Sequence, residues 1–134
     1  GRIGAPLRTA YSAAKHGLIG YMDALRSEVS ISHNINVTNV LPGSVATNVS
    51  RNALTADGSV RGKSDENIDT GDDPMDCAAA ILEAMEANVP EIIFADGLEL
   101  EIAKMRHSDP EKLFEMAGQL GAQLAMQYES GDDS

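Results

Sequence analysis

Two short runs of aliphatic and β-branched residues, Asn36 to Leu41 and Glu91 to Ala95, stand well apart in the chain with a helical pattern between them. The first, with Ile35, Val37, Thr38, Val40 and Leu41, has the continuous apolar character of a strand buried on both faces, and Pro42-Gly43 stops it. Asp96-Gly97 closes the second. Between them, Asp73-Pro74 offers an N-cap followed by proline at the first helical position, where the missing N–H is no loss. Ala78, Ile81, Leu82 and Met85 form that helix's apolar face, and Asn88 to Pro90 end it. Another helix precedes the first strand. Parallel neighbours need a crossover connection, so helix, strand, helix, strand in this order predicts an α/β chain with a parallel sheet.

The leading helix carries the chemistry. Gly1 to Thr9 reads as a loop, since Gly1, Gly4 and Pro6 break any period. From Thr9 to about Ile31, Ala14, Leu18, Tyr21 or Met22, Leu25 and Val29 recur at three- and four-residue steps, and Ser32-His33-Asn34 supply a turn. This stripe packs on a sheet or on another subunit; Ala13, Ala14, Gly17 and Gly20 permit close helix approach in either case. On the same helix Tyr11 and Lys15 are four residues apart, hence on one face and one turn from each other. A cation about 5 Å from a phenol favours the phenolate by roughly 3 kcal/mol at an effective dielectric of about 20. Such tuning is what general acid–base chemistry asks of a tyrosine. With three tyrosines and four lysines, the bare spacing arises by chance about once in ten such chains, so its surroundings must carry the reading.

Those surroundings are Gly1-x-x-Gly4-x-Pro6 ahead of Tyr11-Ser12-Ala13-Ala14-Lys15, the long helix behind it, and Asn36 to Leu41 running into Pro42-Gly43-Ser44-Val45-Ala46-Thr47. In that order and spacing the chain resembles the C-terminal half of a short-chain dehydrogenase/reductase. The resemblance is close from Gly1 to Thr47 and follows element order to about Gly97. It implies the C-terminal part of a Rossmann-type doubly wound parallel sheet, with the N-terminal dinucleotide-binding half missing. It also implies hydride transfer between NAD or NADP and a small-molecule alcohol or carbonyl substrate. Carried onto this sequence, Tyr11 is the general acid–base, and Lys15 favours its phenolate and holds the nicotinamide ribose. Pro42, Gly43, Val45 and Thr47 line the nicotinamide. Ligands of open α/β sheets lie at the carboxyl ends of the strands, which is where Pro42 to Thr47 falls; a generic strand-end turn is the alternative for Pro-Gly alone. In the family the helix that bears the Tyr11 and Lys15 counterparts often makes oligomer contacts, so the resemblance implies a homo-oligomer of the full-length form through residues 9–31.

The departures from the family pattern set further expectations. No glycine-rich strand-turn-helix for a pyrophosphate is present, nor the residue that would select NAD over NADP. The family's active-site serine would fall three residues before Gly1, and the asparagine of its proton relay lies outside the sequence as well. A chain of this extent is therefore expected to bind little dinucleotide and turn over nothing alone. The other functional class open to it is a catalytically silent scaffold or binding module of the same family, against which intact Tyr11 and Lys15 argue.

The domain expectation is a family-like body over 1–105, a helical extension over 106–128 and a disordered acidic tail over 129–134. Within the body, residues 49–73 form either a lid over the substrate or a disordered insertion, too long and glycine-dotted for a plain connector. Ser108-Asp109-Pro110-Glu111 signals a helix start, with Leu113, Ala117, Leu120 and Leu124 on one side as docked core or a partner contact. Residues 1–55 carry a net charge of +3 and residues 56–134 a net −14. That acidity argues against nucleic acid or an anionic membrane as a partner. No apolar run approaches the roughly 20 residues that span a bilayer. A lone Cys77 excludes an internal disulfide and reads as an inert buried thiol, and His16, His33 and His107 share no metal-ligand spacing. A cytoplasmic setting is the default, with a signal or anchor ahead of Gly1 left open.

Overall fold

The structure is a computed structural model that describes residues 2–130. Its elements in order are α1 (Thr9–Val29), β1 (Asn39–Pro42), α2 (Glu66–Asp69), α3 (Pro74–Glu86), β2 (Glu91–Phe94), α4 (Gly97–Ser108) and α5 (Pro110–Ser130). They form two compact units, one spanning Asn36–Gly97 and the other holding α1 and α5 with α4 from Leu98 onward.

The unit Asn36–Gly97 is a parallel β–α–β arrangement of the α/β class. β1 and β2 pair in parallel, Asn39 opposite Glu91 and Pro42 opposite Phe94. Backbone bonds from Asn39 N–H to Pro90 C=O (3.0 Å) and from Gly43 N–H to Phe94 C=O (2.8 Å) extend the ladder at both ends. The strand residues predict a start at Asn36, whereas the ladder begins at Asn39. Side chains hold the approach instead: Thr38 Oγ1 donates to the Val89 carbonyl and Asn36 Nδ2 to Asn88 Oδ1. Asn88 sits at φ +53°, a left-handed turn that asparagine tolerates, and it reverses the chain between α3 and β2.

α3 begins as its sequence predicts, with the Asp73 carboxylate accepting the Met75 N–H at 2.7 Å and Pro74 opening the helix. Its inward face differs from expectation. Cys77 and Ala84 are the buried residues and Ile81 is half-buried, while Ala78, Leu82 and Met85 are exposed. Neighbouring strands lie about 4.8 Å apart, so two strands cover a single narrow stripe of a helix, and small residues win it. Cys77 is the buried free thiol that its setting predicts.

In the other unit, α1 ends at Val29; Ser30 to His33 continue as turn, and Asn34 at φ +53° finishes it. Met22, Leu25 and Val29 of the expected stripe are half-buried, together with Ile19; Ala14, Leu18 and Tyr21 are exposed. No element is predicted over Gly97–Ser108, yet it forms α4. Leu98, Leu100 and Ile102 alternate with Glu99 and Glu101, a period of two that masks a run of strong helix formers. α5 starts with the Asp109 carboxylate accepting the Lys112 N–H at 3.1 Å. Ser108 donates its hydroxyl back to Lys104 instead of taking part in a capping box. Along α5, Leu113 is buried, and Ala117 and Leu124 are half-buried; Leu120 is exposed and Gly121 takes its place, where an added Cβ would lie 3.7 Å from the Pro6 side chain. The helix runs through Ser130, into the expected acidic tail; residues 131–134 of that tail, and Gly1 of the leading loop, lie outside the described residues.

Candidate active site

The residues singled out from the sequence fall into both units, and each group has its own local construction. Tyr11 and Lys15 stand on the first turns of α1. The approach to that helix is sharply bent: Leu7 adopts φ +59°, and the Arg8 N–H closes a turn onto the Ala5 carbonyl at 3.2 Å. Ser12 Oγ accepts the Ala5 N–H, which ties the loop to the helix one residue beyond Tyr11. His16 Nδ1 lies 2.8 Å from the Ser12 carbonyl, so the imidazole is held by the helix's own backbone. Tyr11 is 58 % exposed, and the Lys15 ammonium lies 5.5 Å from its ring centroid. That is cation–π distance, with the charge over the ring face and both polar groups open to a ligand.

Pro42 ends β1, and Gly43, Val45 and Thr47 follow it. The turn they form is held by backbone on two sides. The Gly43 bond to Phe94 carries the sheet ladder one step past Pro42. Beyond it Val45 bridges to Asp72 in parallel fashion, with Asp72 N–H donating to Ser44 C=O and Ala46 N–H to Asp72 C=O, both at 2.9 Å. Asn67 Nδ2 donates to Ser44 Oγ at 3.1 Å. Thr47 Oγ1 accepts the Val49 N–H at 3.4 Å, and Thr47 itself is exposed.

Residues 49–73 are densely hydrogen-bonded. Ser50, one of two buried polar residues among those described, accepts from Arg61 Nη1 (2.7 Å) and from the Asp65 N–H (3.2 Å), and it donates to Asp65 Oδ2 (3.0 Å). Arg61 Nη2 completes the cluster on Asp65 Oδ1 at 2.6 Å. The Asp65 hydrogen bond, aided by its charge, raises the pKa of the Arg61 guanidinium. Farther out, Leu54 bridges Val60 across a turn in which the Asp57 carboxylate accepts from Thr55 and Ser59. Only the Arg61-x-x-x-Asp65 spacing hints at this cluster in the sequence. Nothing local announces Gly71 and Asp72, which back the turn after β1.

Among the described residues no group of three His, Cys, Asp or Glu could hold a metal ion, and no helix is long and apolar enough to cross a membrane. Tyr11 and Lys15 set a phenol and an ammonium side by side in one unit, and in the other Thr47 presents an exposed hydroxyl beyond a glycine-containing strand end.

Residues 1–58 match the family model for short chain dehydrogenases. Among curated proteins, the chain is 38 % identical over 116 residues to the bovine Dehydrogenase/reductase SDR family member 7B, covering 87 % of this chain and 35 % of that protein. It is 42 % identical over 115 residues to the Drosophila melanogaster Dehydrogenase/reductase SDR family protein 7-like, covering 85 % of this chain and 35 % of the relative. The zebrafish member 7B is 43 % identical over 95 residues, 71 % of this chain and 30 % of its own. No solved structure matches. The chain thus spans about a third of the length of the curated relatives it matches, and with the motif-bearing helix and the parallel strand pair in place, it belongs to the short-chain dehydrogenase/reductase family.

Proposed function

We propose that this chain is the catalytic-helix portion of an NAD(P)-dependent oxidoreductase acting on an alcohol or carbonyl. The observation that carries the proposal is the pairing of Tyr11 with Lys15 on one exposed face of α1, the ammonium 5.5 Å from the ring, inside the residues that match the family model. A nicotinamide supplies or accepts the hydride when bound. The part of Tyr11 is the proton: its hydroxyl donates to the carbonyl oxygen in reduction and its phenolate takes the proton from the alcohol in oxidation. Lys15 holds positive charge against the phenol ring, and its ammonium has a donor to offer a ribose hydroxyl. Pro42, Gly43, Val45 and Thr47 bind and orient the nicotinamide end, Thr47 through its exposed hydroxyl and the others through backbone and apolar contact.

In this reading residues 49–73 cover the substrate, 106–128 are an accessory helical extension, and the chain assembles with copies of itself through α1, where Leu18 and Tyr21 are exposed. Leu18→Glu should then lower the assembly state seen by sedimentation. Purified at its present length, the chain should give no saturable fluorescence response to NADH or NADPH. In the full-length protein Tyr11→Phe should reduce turnover by on the order of 10²–10⁴-fold while leaving dinucleotide affinity near its original value. Near-normal turnover in that variant would remove Tyr11 from the chemistry and favour a silent scaffold.

A further inference from the structure

A side chain on Gly71 has nowhere to go. A Cβ at this position would lie 2.5 Å from the Ser44 carbonyl oxygen, 2.6 Å from its carbon and 2.9 Å from the Val45 nitrogen, where ordinary contact begins at 3.4 Å. These are backbone atoms, which cannot swing aside as a side-chain tip can. By contrast, the glycines at 4, 17, 20, 58, 97 and 118 have nothing within 4 Å of a built Cβ. The close approach is fixed in register as well as distance. Asp72, the next residue, exchanges two 2.9 Å backbone bonds with Ser44 and Ala46, and Asn67 holds the Ser44 hydroxyl. Gly71–Asp72 therefore acts as a backstop against which the Ser44–Ala46 backbone is set.

We infer that Gly71 is a positioning residue for the dinucleotide: without touching it, Gly71 fixes where the turn from Pro42 to Thr47 presents its backbone and the Thr47 hydroxyl. The inference rests on the assignment of that turn to the nicotinamide end. Alanine at 71 would have to push the two backbones apart by about 1 Å, and a misplacement of about that size costs on the order of 10²-fold in a well-oriented reaction.

Gly71→Ala in the full-length protein is the direct test, with Gly118→Ala on open helix surface as its control. The expected result is a raised KM for NADH or NADPH, and kcat/KM down by on the order of 10²-fold per folded molecule, with the control unchanged. A lowered Tm with unaltered kinetics of the folded fraction would mean a merely structural glycine and would overturn the inference. If the variant does not fold, amide hydrogen exchange of the unsubstituted full-length protein decides. Adding the dinucleotide should slow exchange at Ala46 and Asp72 together. Protection across residues 43–47 with none at Asp72 overturns the backstop and leaves the cofactor assignment standing. Absence of protection at 43–47 overturns the assignment and the inference with it.

Discussion

Under the proposed function, the start of α1 and the turn after β1 carry their chemistry in opposite ways. On α1 the proposed reactive groups are side chains on a helix that needs nothing else to align them: Tyr11 and Lys15 meet because they are one turn apart, and both stay exposed. After β1 the groups of interest are largely backbone, and their placement is borrowed from residues far along the chain, Phe94 on one side and Gly71–Asp72 on the other. A helix face can therefore lose its chemistry without losing its fold. The turn can lose its chemistry through a residue that never meets a ligand.

The largest effect that would break this contrast is expected at Lys15. In the full-length protein Lys15→Ala should cost on the order of 10²-fold in kcat/KM, and adding it to Tyr11→Phe should cost little more than Tyr11→Phe alone, because the two act as one unit. Unfolding free energy should move by no more than about 0.5 kcal/mol, since neither group is buried. A large loss of stability would mean that α1 depends on the pair structurally, and the contrast would fail. Next comes Ser50→Ala, which removes a buried hydroxyl that accepts from Arg61 and from the Asp65 backbone. Protein hydrogen exchange should show the amides of Arg61 and Gly62 opening more easily by about 1–3 kcal/mol, the cost of leaving such partners unmatched. Exchange at α1 should be unaffected. Asp73→Ala takes away the carboxylate that caps α3 and should destabilise that helix by about 1 kcal/mol, read from the exchange of its first-turn amides.

The same contrast explains what could be read before the structure. The Tyr11–Lys15 face, the Asp73 cap and the parallel pairing all follow from short spacings or from residue classes that one window of sequence contains. The unmarked features are those where distant backbones meet. Gly71 looks like any loop glycine until Ser44 lies against it, and Thr38 looks like strand until its hydroxyl bonds the Val89 carbonyl. Helix faces were legible only in part for a related reason. Leu82 and Met85 have the right period, but a two-stranded surface takes Cys77 and Ala84 instead, because small side chains let α3 sit close to β2. Periodicity reports that a helix has an apolar side; what lies opposite decides which residues on it are covered.

The smallest effect concerns the outer turn of the segment that this backbone network holds, and it separates that turn from the Ser50 cluster behind it. Asp57 accepts from the Thr55 hydroxyl and from the amide and hydroxyl of Ser59, and these bonds, Thr55's foremost, lower its pKa from 3.8 to about 2. A carboxylate depressed in the folded state adds stability that is complete above the unfolded value and is lost as pH falls through the folded one. The Thr55–Ser59 turn should therefore be at full strength above about pH 4, weaken between roughly 4 and 2, and gain nothing further at neutral pH. The Ser59 amide resonance followed by NMR should titrate with a midpoint near 2, and Asp57→Asn should remove that titration. A midpoint near 3.8 would mean that the carboxylate is free in solution and that the outer turn, unlike the Ser50–Arg61–Asp65 cluster, is not held by its own side chains.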